Sequence, residues 1–149
     1  MRQAIALATE NVASGGGPFG AVVVCDGKLI ATGVNRVTAN NDPTAHAEVV
    51  AIRAACQSLG TFQLTGCVVY TSCEPCPMCL AALYWSRCDA VFYGNSAGDA
   101  AGIGFDDRFL YEQVALPINE RKLAMQRLLP DEAIASFEAW RNQPNKIEY

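Results

Sequence analysis

The chain has 149 residues, 51% of them hydrophobic and 17% charged, with a formal net charge of −4. That balance fits a single globular domain and excludes an intrinsically disordered chain. The 11 basic residues are scattered among 15 acidic ones, only Arg121-Lys122 being adjacent, so the clustered positive face of a polynucleotide binder is missing. A small neutral or cationic substrate is expected, with no nucleic acid and no membrane as partner. No apolar run reaches the ~18 residues of a membrane span, and the first residues lack the zones of a secretory signal. Seven cysteines, three of them within Cys73–Cys79, suit metal ligation in a reducing compartment better than a disulfide framework. A cytoplasmic location is the expectation.

Met1–Ala13 carries Ile5, Leu7, Ala8 and Val12 at helical spacing and stops at Ser14 and three glycines. Phe19–Cys25 and Lys28–Val34 read as strands joined by an Asp26-Gly27 hairpin. Val37–Thr44 reads as loop. Thr44 is placed as the cap of a helix from about Ala45 to Leu59. Gly66–Thr71 reads as a buried strand, Pro77–Ser86 as a helix and Ala90–Tyr93 as a short strand. Gly98–Gly104 reads as loop and Asp106–Gln113 as a short helix. Leu123–Leu129 is ambiguous and is assigned to strand because Pro130 follows. Asp131–Arg141 is helix, with Ala133, Ile134, Phe137 and Trp140 on one side, and 142–149 is a polar tail. The order of elements implies one α/β domain with helices covering a sheet.

Gly15, Gly17 and Gly20 spell the G-x-G-x-x-G dinucleotide pattern. That pattern works between a strand and the N-terminus of a following helix, whereas here it lies between a helix and a strand, with Pro18 inside. A turn that carries Phe19 close to another group is the preferred reading.

His46 is the only histidine. Alone it carries little weight, but His46-Ala47-Glu48 opens one expected helix and Pro75-Cys76-Pro77-Met78-Cys79 opens another. Cys76 and Cys79 stand three apart, so one helical turn puts both sulfurs on the same side. A helix N-terminus also favours the thiolate. One His and two Cys leave the fourth tetrahedral position open, as catalytic zinc sites do. Glu48 cannot share a regular helix face with His46, so the helix must meet the metal with its first turn, one residue ligating while the other reaches water. Cys73 is the rival fourth ligand of a closed, structural site. It lies off the helix face of the other two sulfurs, and a structural zinc leaves Glu48 without a task.

The combination H-x-E…P-C-x-x-C resembles the zinc-dependent cytidine-deaminase-like superfamily. Gly17-Pro18-Phe19-Gly20-Ala21, Asn41-Asp42-Pro43-Thr44-Ala45-His46-Ala47-Glu48 and Thr71–Cys79 narrow the resemblance to its bacterial guanine deaminase branch. Gly104-Phe105-Asp106-Asp107 and the ending Ala139-Trp140-Arg141-Asn142…Asn145-Lys146…Glu148-Tyr149 favour guanine in particular. The resemblance implies a three-layer αβα sandwich around a five-stranded mixed sheet, with one zinc per subunit held by His46, Cys76 and Cys79. It implies hydrolysis of guanine to xanthine and ammonia, Glu48 carrying protons and Asp107 either helping or accepting hydrogen bonds from the base. Asn35 matches the base-orienting amide, Phe19 and Trp85 the aromatic wall, and Ala47 and Tyr149 further substrate contacts. It also implies a homodimer that exchanges the 142–149 segments, so that Tyr149 closes the partner's pocket. Each assignment has a plainer counterpart: Trp85 as core, Asn35 as a turn residue, Asp107 as a helix cap. Guanosine and other aminated bases remain rivals as substrates. A structural zinc module and a Cys76/Cys79 redox pair remain rivals as classes.

Overall fold

The computed structural model describes residues 1–148. These residues divide into two compact units, Met1–Phe109 and Leu110–Tyr149. Tyr149 itself lies outside the described residues.

The first unit opens with α1 (Arg2–Ala13) and the hairpin of β1 (Gly20–Cys25) and β2 (Lys28–Val34). Asp26 and Gly27 turn that hairpin with φ of 48° and 72°, the left-handed pair that two-residue hairpins need. A single helical turn, α2 (Val37–Asn40), then leads to α3 (Ala47–Leu59), β3 (Cys67–Cys73), α4 (Pro77–Ser86), β4 (Ala90–Asn95) and α5 (Ala97–Gly102). The sheet has four strands in the order β2-β1-β3-β4. β1 is antiparallel to both neighbours, whereas β3 and β4 run parallel, so the sheet is mixed as expected, with one strand fewer.

Two glycines show how the helices lie on the sheet. A Cβ at Gly20 would strike the Ala4 carbonyl and the Ala8 nitrogen of α1, and one at Gly33 the Ala51 nitrogen of α3. Gly33 pairs with Ala21, the neighbour of Gly20 on β1. Successive residues point to opposite faces of a sheet, so α1 and α3 cover opposite faces. The α3 face is the core, formed by Ala21, Val23, Cys67 and Val69 from the strands with Ala47, Ala51, Ala55, Leu64 and Leu83 around them. The alanine run at 47, 51 and 55 repeats at helical spacing and lets α3 lie close to the sheet.

The second unit contains most of α6 (Arg108–Ala115), a short 3-10 turn at Ile118–Glu120 and α7 (Pro130–Asn142). The strand expected at Leu123–Leu129 does not form. The segment has no β-branched residue, its Leu, Ala, Met, Gln and Arg all being good helix formers, and Leu129 turns left-handed at φ 49°. Pro130 therefore marks the first turn of a helix, a position proline favours. This accounts for four strands in place of five.

Smaller corrections are local. Val37–Asn40 is helical rather than loop and stops at left-handed Asn41. Gly98–Gly104 is largely the helix α5, nucleated by a reciprocal capping box between Ser96 and Asp99. α3 begins after His46 rather than Thr44, whose N–H and hydroxyl both donate to Oδ1 of Asp42. The cysteines also divide. Cys25 and Cys67, paired across β1 and β3, form a disulfide, which the metal-ligand reading of the cysteines did not include. Cys56, Cys73, Cys76, Cys79 and Cys88 are free. Among the described residues no helix is long and apolar enough to cross a membrane.

Candidate metal centre and active site

His46 is the residue that caps the N-terminus of α3, and Cys76 caps that of α4. Both have extended backbone at φ/ψ of −68°/157° and −63°/168°, so each side chain projects from a helix start rather than along its flank. Pro77 at the first turn of α4 fixes that start, and Cys79 follows one turn on. His46 Nδ1 lies 3.5 Å from Sγ of Cys76 and 3.5 Å from Sγ of Cys79. With Zn–S near 2.3 Å and Zn–N near 2.05 Å, a tetrahedral ion requires an N···S edge of about 3.5 Å. The three donor atoms lie within 4.8 Å of one another and form the one potential metal-holding cluster among the described residues.

The electrostatics fit the same ion. Hydrogen bonding from Cys79 brings the Cys76 thiol down to about 4, with His46 adding to the effect. The same contact, with burial, pushes the Cys79 thiol far up. The Cys76 hydrogen bond raises the imidazole of His46. A cation drawn into the triangle takes the place of these protons. Cys73 behaves differently: burial, with the charge of Glu48 next, pushes its thiol up to about 11. Its sulfur donates instead to the Ser96 carbonyl at 3.7 Å. Cys73 is not part of the metal-holding cluster, and Cys76 and Cys79 are unjoined thiols.

Glu48 sits two residues beyond His46 in the first turn of α3 and is buried. Its Oε1 accepts a 2.5 Å hydrogen bond from the hydroxyl of Thr71. Thr71 is fully buried on β3 opposite Ala21, on the core-facing side of the sheet. The sequence reading missed Thr71. Its signal was present, as a hydroxyl at an inward position of the apolar run Cys67-Val68-Val69-Tyr70.

The expected base-binding residues are placed unevenly. Asn35 follows β2 and is buried, its N–H donating to the Phe19 carbonyl at 3.1 Å and its Oδ1 accepting from the Val37 N–H at 3.3 Å. Phe19 makes an edge-to-face contact with Phe105, centroids 4.9 Å apart, so the glycine turn brings Phe19 against a partner as expected. Asp107 is half-buried, and burial followed by the negative charge of Cys76 raises its carboxyl. The cap role belongs to its neighbour, since Asp106 Oδ1 accepts from the Arg108 N–H at 3.0 Å. Ala47 is fully buried in the core cluster, which leaves its main chain, at the first helical position, as what it offers the site. Trp85 is 66% exposed on α4 and is not core, because Cys79, Leu83 and Ser86 form the buried side of that helix.

Residues 1–95 match the cytidine and deoxycytidylate deaminase zinc-binding region. The chain belongs to that family. Within it, the guanine deaminase of Bacillus subtilis is 55% identical over 150 residues, covering 100% of this chain and 96% of its own. The X-ray structure of that enzyme superposes with a TM-score of 0.97 at 55% identity, covering 99% of this chain and 95% of its own. A tRNA-specific adenosine deaminase of Agrobacterium fabrum is 48% identical, but over 77 residues, 52% of this chain and 51% of its own. The guanine deaminase likeness thus runs on beyond residue 95, whereas the match to the tRNA-specific adenosine deaminase takes in about half of this chain.

Proposed function

We propose that this chain is a zinc-dependent hydrolase that deaminates guanine to xanthine, releasing ammonia. The observation that carries the substrate is the likeness to a guanine deaminase over the whole chain, beyond the region shared with other deaminases. The chemistry of the donors supports zinc, one ion in the triangle of His46, Cys76 and Cys79. When bound, zinc supplies a Lewis acid that brings water from a pKa of 15.7 towards about 7.

The remaining work belongs to the chain's own groups. One carboxylate oxygen of Glu48 is held by Thr71, and the other is the proton carrier between water, a ring nitrogen and the departing ammonia. General acid–base help of this type contributes about 10²–10⁴-fold. Asn35 and Phe19 orient and sandwich the base, and the main chain at Ala47 adds a polar contact. Asp107, its carboxyl raised by burial, accepts from the base N–H groups or passes the second proton. Trp85 joins Phe19 in the aromatic wall. A cytoplasmic enzyme of salvage or catabolism is consistent with these groups, which carry no cationic side chain for a phosphate.

The reading includes a homodimer in which residues 142–149 of one chain close the pocket of the other. Two observations support it. The likeness runs through the C-terminus, and the apolar positions Ile134, Phe137 and Trp140 of α7 are exposed in the single chain.

The test is to give purified zinc-loaded protein guanine, guanosine and adenosine-containing tRNA while following absorbance and ammonia. Turnover of guanine well above the others is expected. No turnover of guanine would overturn the assignment.

A further inference from the structure

Asn11 lies near the end of α1, where an amphipathic helix needs only an apolar residue, and it is 5% exposed. Asparagine there weakens the helix, so its burial calls for a reason. Its Nδ2 donates twice, to the Gly17 carbonyl at 2.8 Å and to the Asn35 carbonyl at 2.9 Å. Those carbonyls belong to two segments that are distant in sequence. One leads into Phe19 and the other is Asn35 itself. They meet otherwise through the Asn35 N–H on the Phe19 carbonyl.

The glycine turn is cut to fit this amide. The Asn11 carbonyl accepts from the N–H groups of Ser14 and Gly16 at 3.1 and 2.9 Å. A Cβ at Gly16 would come within 2.7 Å of Asn11 Cγ and Oδ1. One at Gly17 would come within 3.2 Å of Asn35 Cγ. Gly16 and Gly17, two of the three consecutive glycines, therefore leave room for two asparagine side chains.

We propose that Asn11 is a positioning residue for base recognition: its amide ties the Phe19 segment to the Asn35 segment and sets the gap in which the purine is held. The inference rests on the guanine deaminase reading, and it assigns Asn11 no part in proton transfer. An NH₂ group is required because one atom must supply two donors to two acceptors. An aspartate of the same shape would face both carbonyls with oxygen.

Steady-state kinetics on Asn11→Asp, Asn11→Ala and Gly16→Ala, with zinc content and Tm measured alongside, test it. The expected result is a KM for guanine raised about tenfold or more in all three, with kcat nearly unchanged and zinc retained, the pattern of lost binding rather than lost chemistry. Gly16→Ala keeps the amide and displaces it, so it decides the matter even where Asn11→Ala folds poorly. An unchanged KM in folded Gly16→Ala overturns the proposal, as does a fall in kcat that tracks zinc loss or Tm with KM constant. A wild-type enzyme inert to guanine but active on another aminated base would fail the substrate reading alone, and the same KM comparison on that base would still decide the brace.

Discussion

Thr71 and Glu48, 23 residues apart in sequence, meet in the core through a 2.5 Å hydrogen bond from the hydroxyl to the carboxylate. The contact ties Glu48, the proposed proton carrier, to the centre of the sheet, while His46, two residues earlier, joins Cys76 and Cys79 in the donor triangle. It divides the two residues' roles in a way mutation can read. Glu48→Gln keeps the shape and the bond to Thr71 but cannot carry protons, so zinc content should hold while kcat falls by about 10²–10⁴-fold. Thr71→Val removes only the hydroxyl and leaves a buried oxygen without its donor. That costs about 1–3 kcal/mol, read as a Tm several degrees lower, with a smaller loss of kcat than Glu48→Gln. An active Glu48→Gln enzyme would remove Glu48 from the mechanism.

Cys73 gives a test of open against closed coordination. It is buried beside the metal ligands, but its proton is spent on the Ser96 carbonyl and its thiol is held near 11. Cys73→Ser should retain one zinc per chain by elemental analysis and keep most of its activity. Cys79→Ser should lose both. Zinc loss from Cys73→Ser equal to that from Cys79→Ser would mean a closed, structural site.

The cluster of His46, Cys76 and Cys79, with Glu48 buried next to His46 in the chain, was legible because each part is written locally: His46 with Glu48, and Cys76 with Cys79, each pair within one helix start. The Asp26-Gly27 hairpin was legible for the same reason, since the left-handed turn demands those residue types. What could not be read is non-local. Asn11 sits in no motif, Thr71 opens the Thr71–Cys79 segment without its contact being written there, and each meets a partner about two dozen residues away. Two misreadings were local all the same. Ser96 and Asp99 spelled a helix cap that the glycines on either side obscured, and Pro130, taken to end a strand, begins a helix. Leu123–Leu129 shows why: a run with no strand chemistry of its own carries no pattern that fixes its state.

The Cys25–Cys67 bond joins directly opposed residues of β1 and β3. Cys67 spends its N–H on the Leu64 carbonyl and its carbonyl on the Asp89 N–H, so the two form a non-hydrogen-bonded pair, the closer kind of cross-strand neighbour. The bond spans 42 residues that include α3 with His46 and Glu48, but not Cys76 or Cys79. Closing a loop of that length contributes at most about 4 kcal/mol through the unfolded chain. Oxidised protein should therefore melt several degrees above the reduced form, and Cys25→Ser should abolish the difference without changing zinc content. Identical melting in both states would mean that the bond does not form in solution.

The C-terminal segment offers the sharpest test of the proposed dimer. In the described structure α7 presents Ile134, Phe137 and Trp140 to solvent, an arrangement a stable monomer does not favour. The segment after it is polar, ending in Tyr149. If that segment closes a partner's pocket, deleting 144–149 should leave zinc content and the melting transition nearly intact, because the deletion removes no part of the sheet or its core. It should nonetheless raise KM and lower kcat together, since water would then share the pocket with the base. Mixing the deletion variant with inactive full-length Glu48→Gln separates exchange from self-closure. Exchange predicts that the mixed dimer regains activity, the intact tail of one chain covering the competent site of the other. Self-closure predicts none. Full activity of the deletion variant alone would exclude a closing tail of either kind.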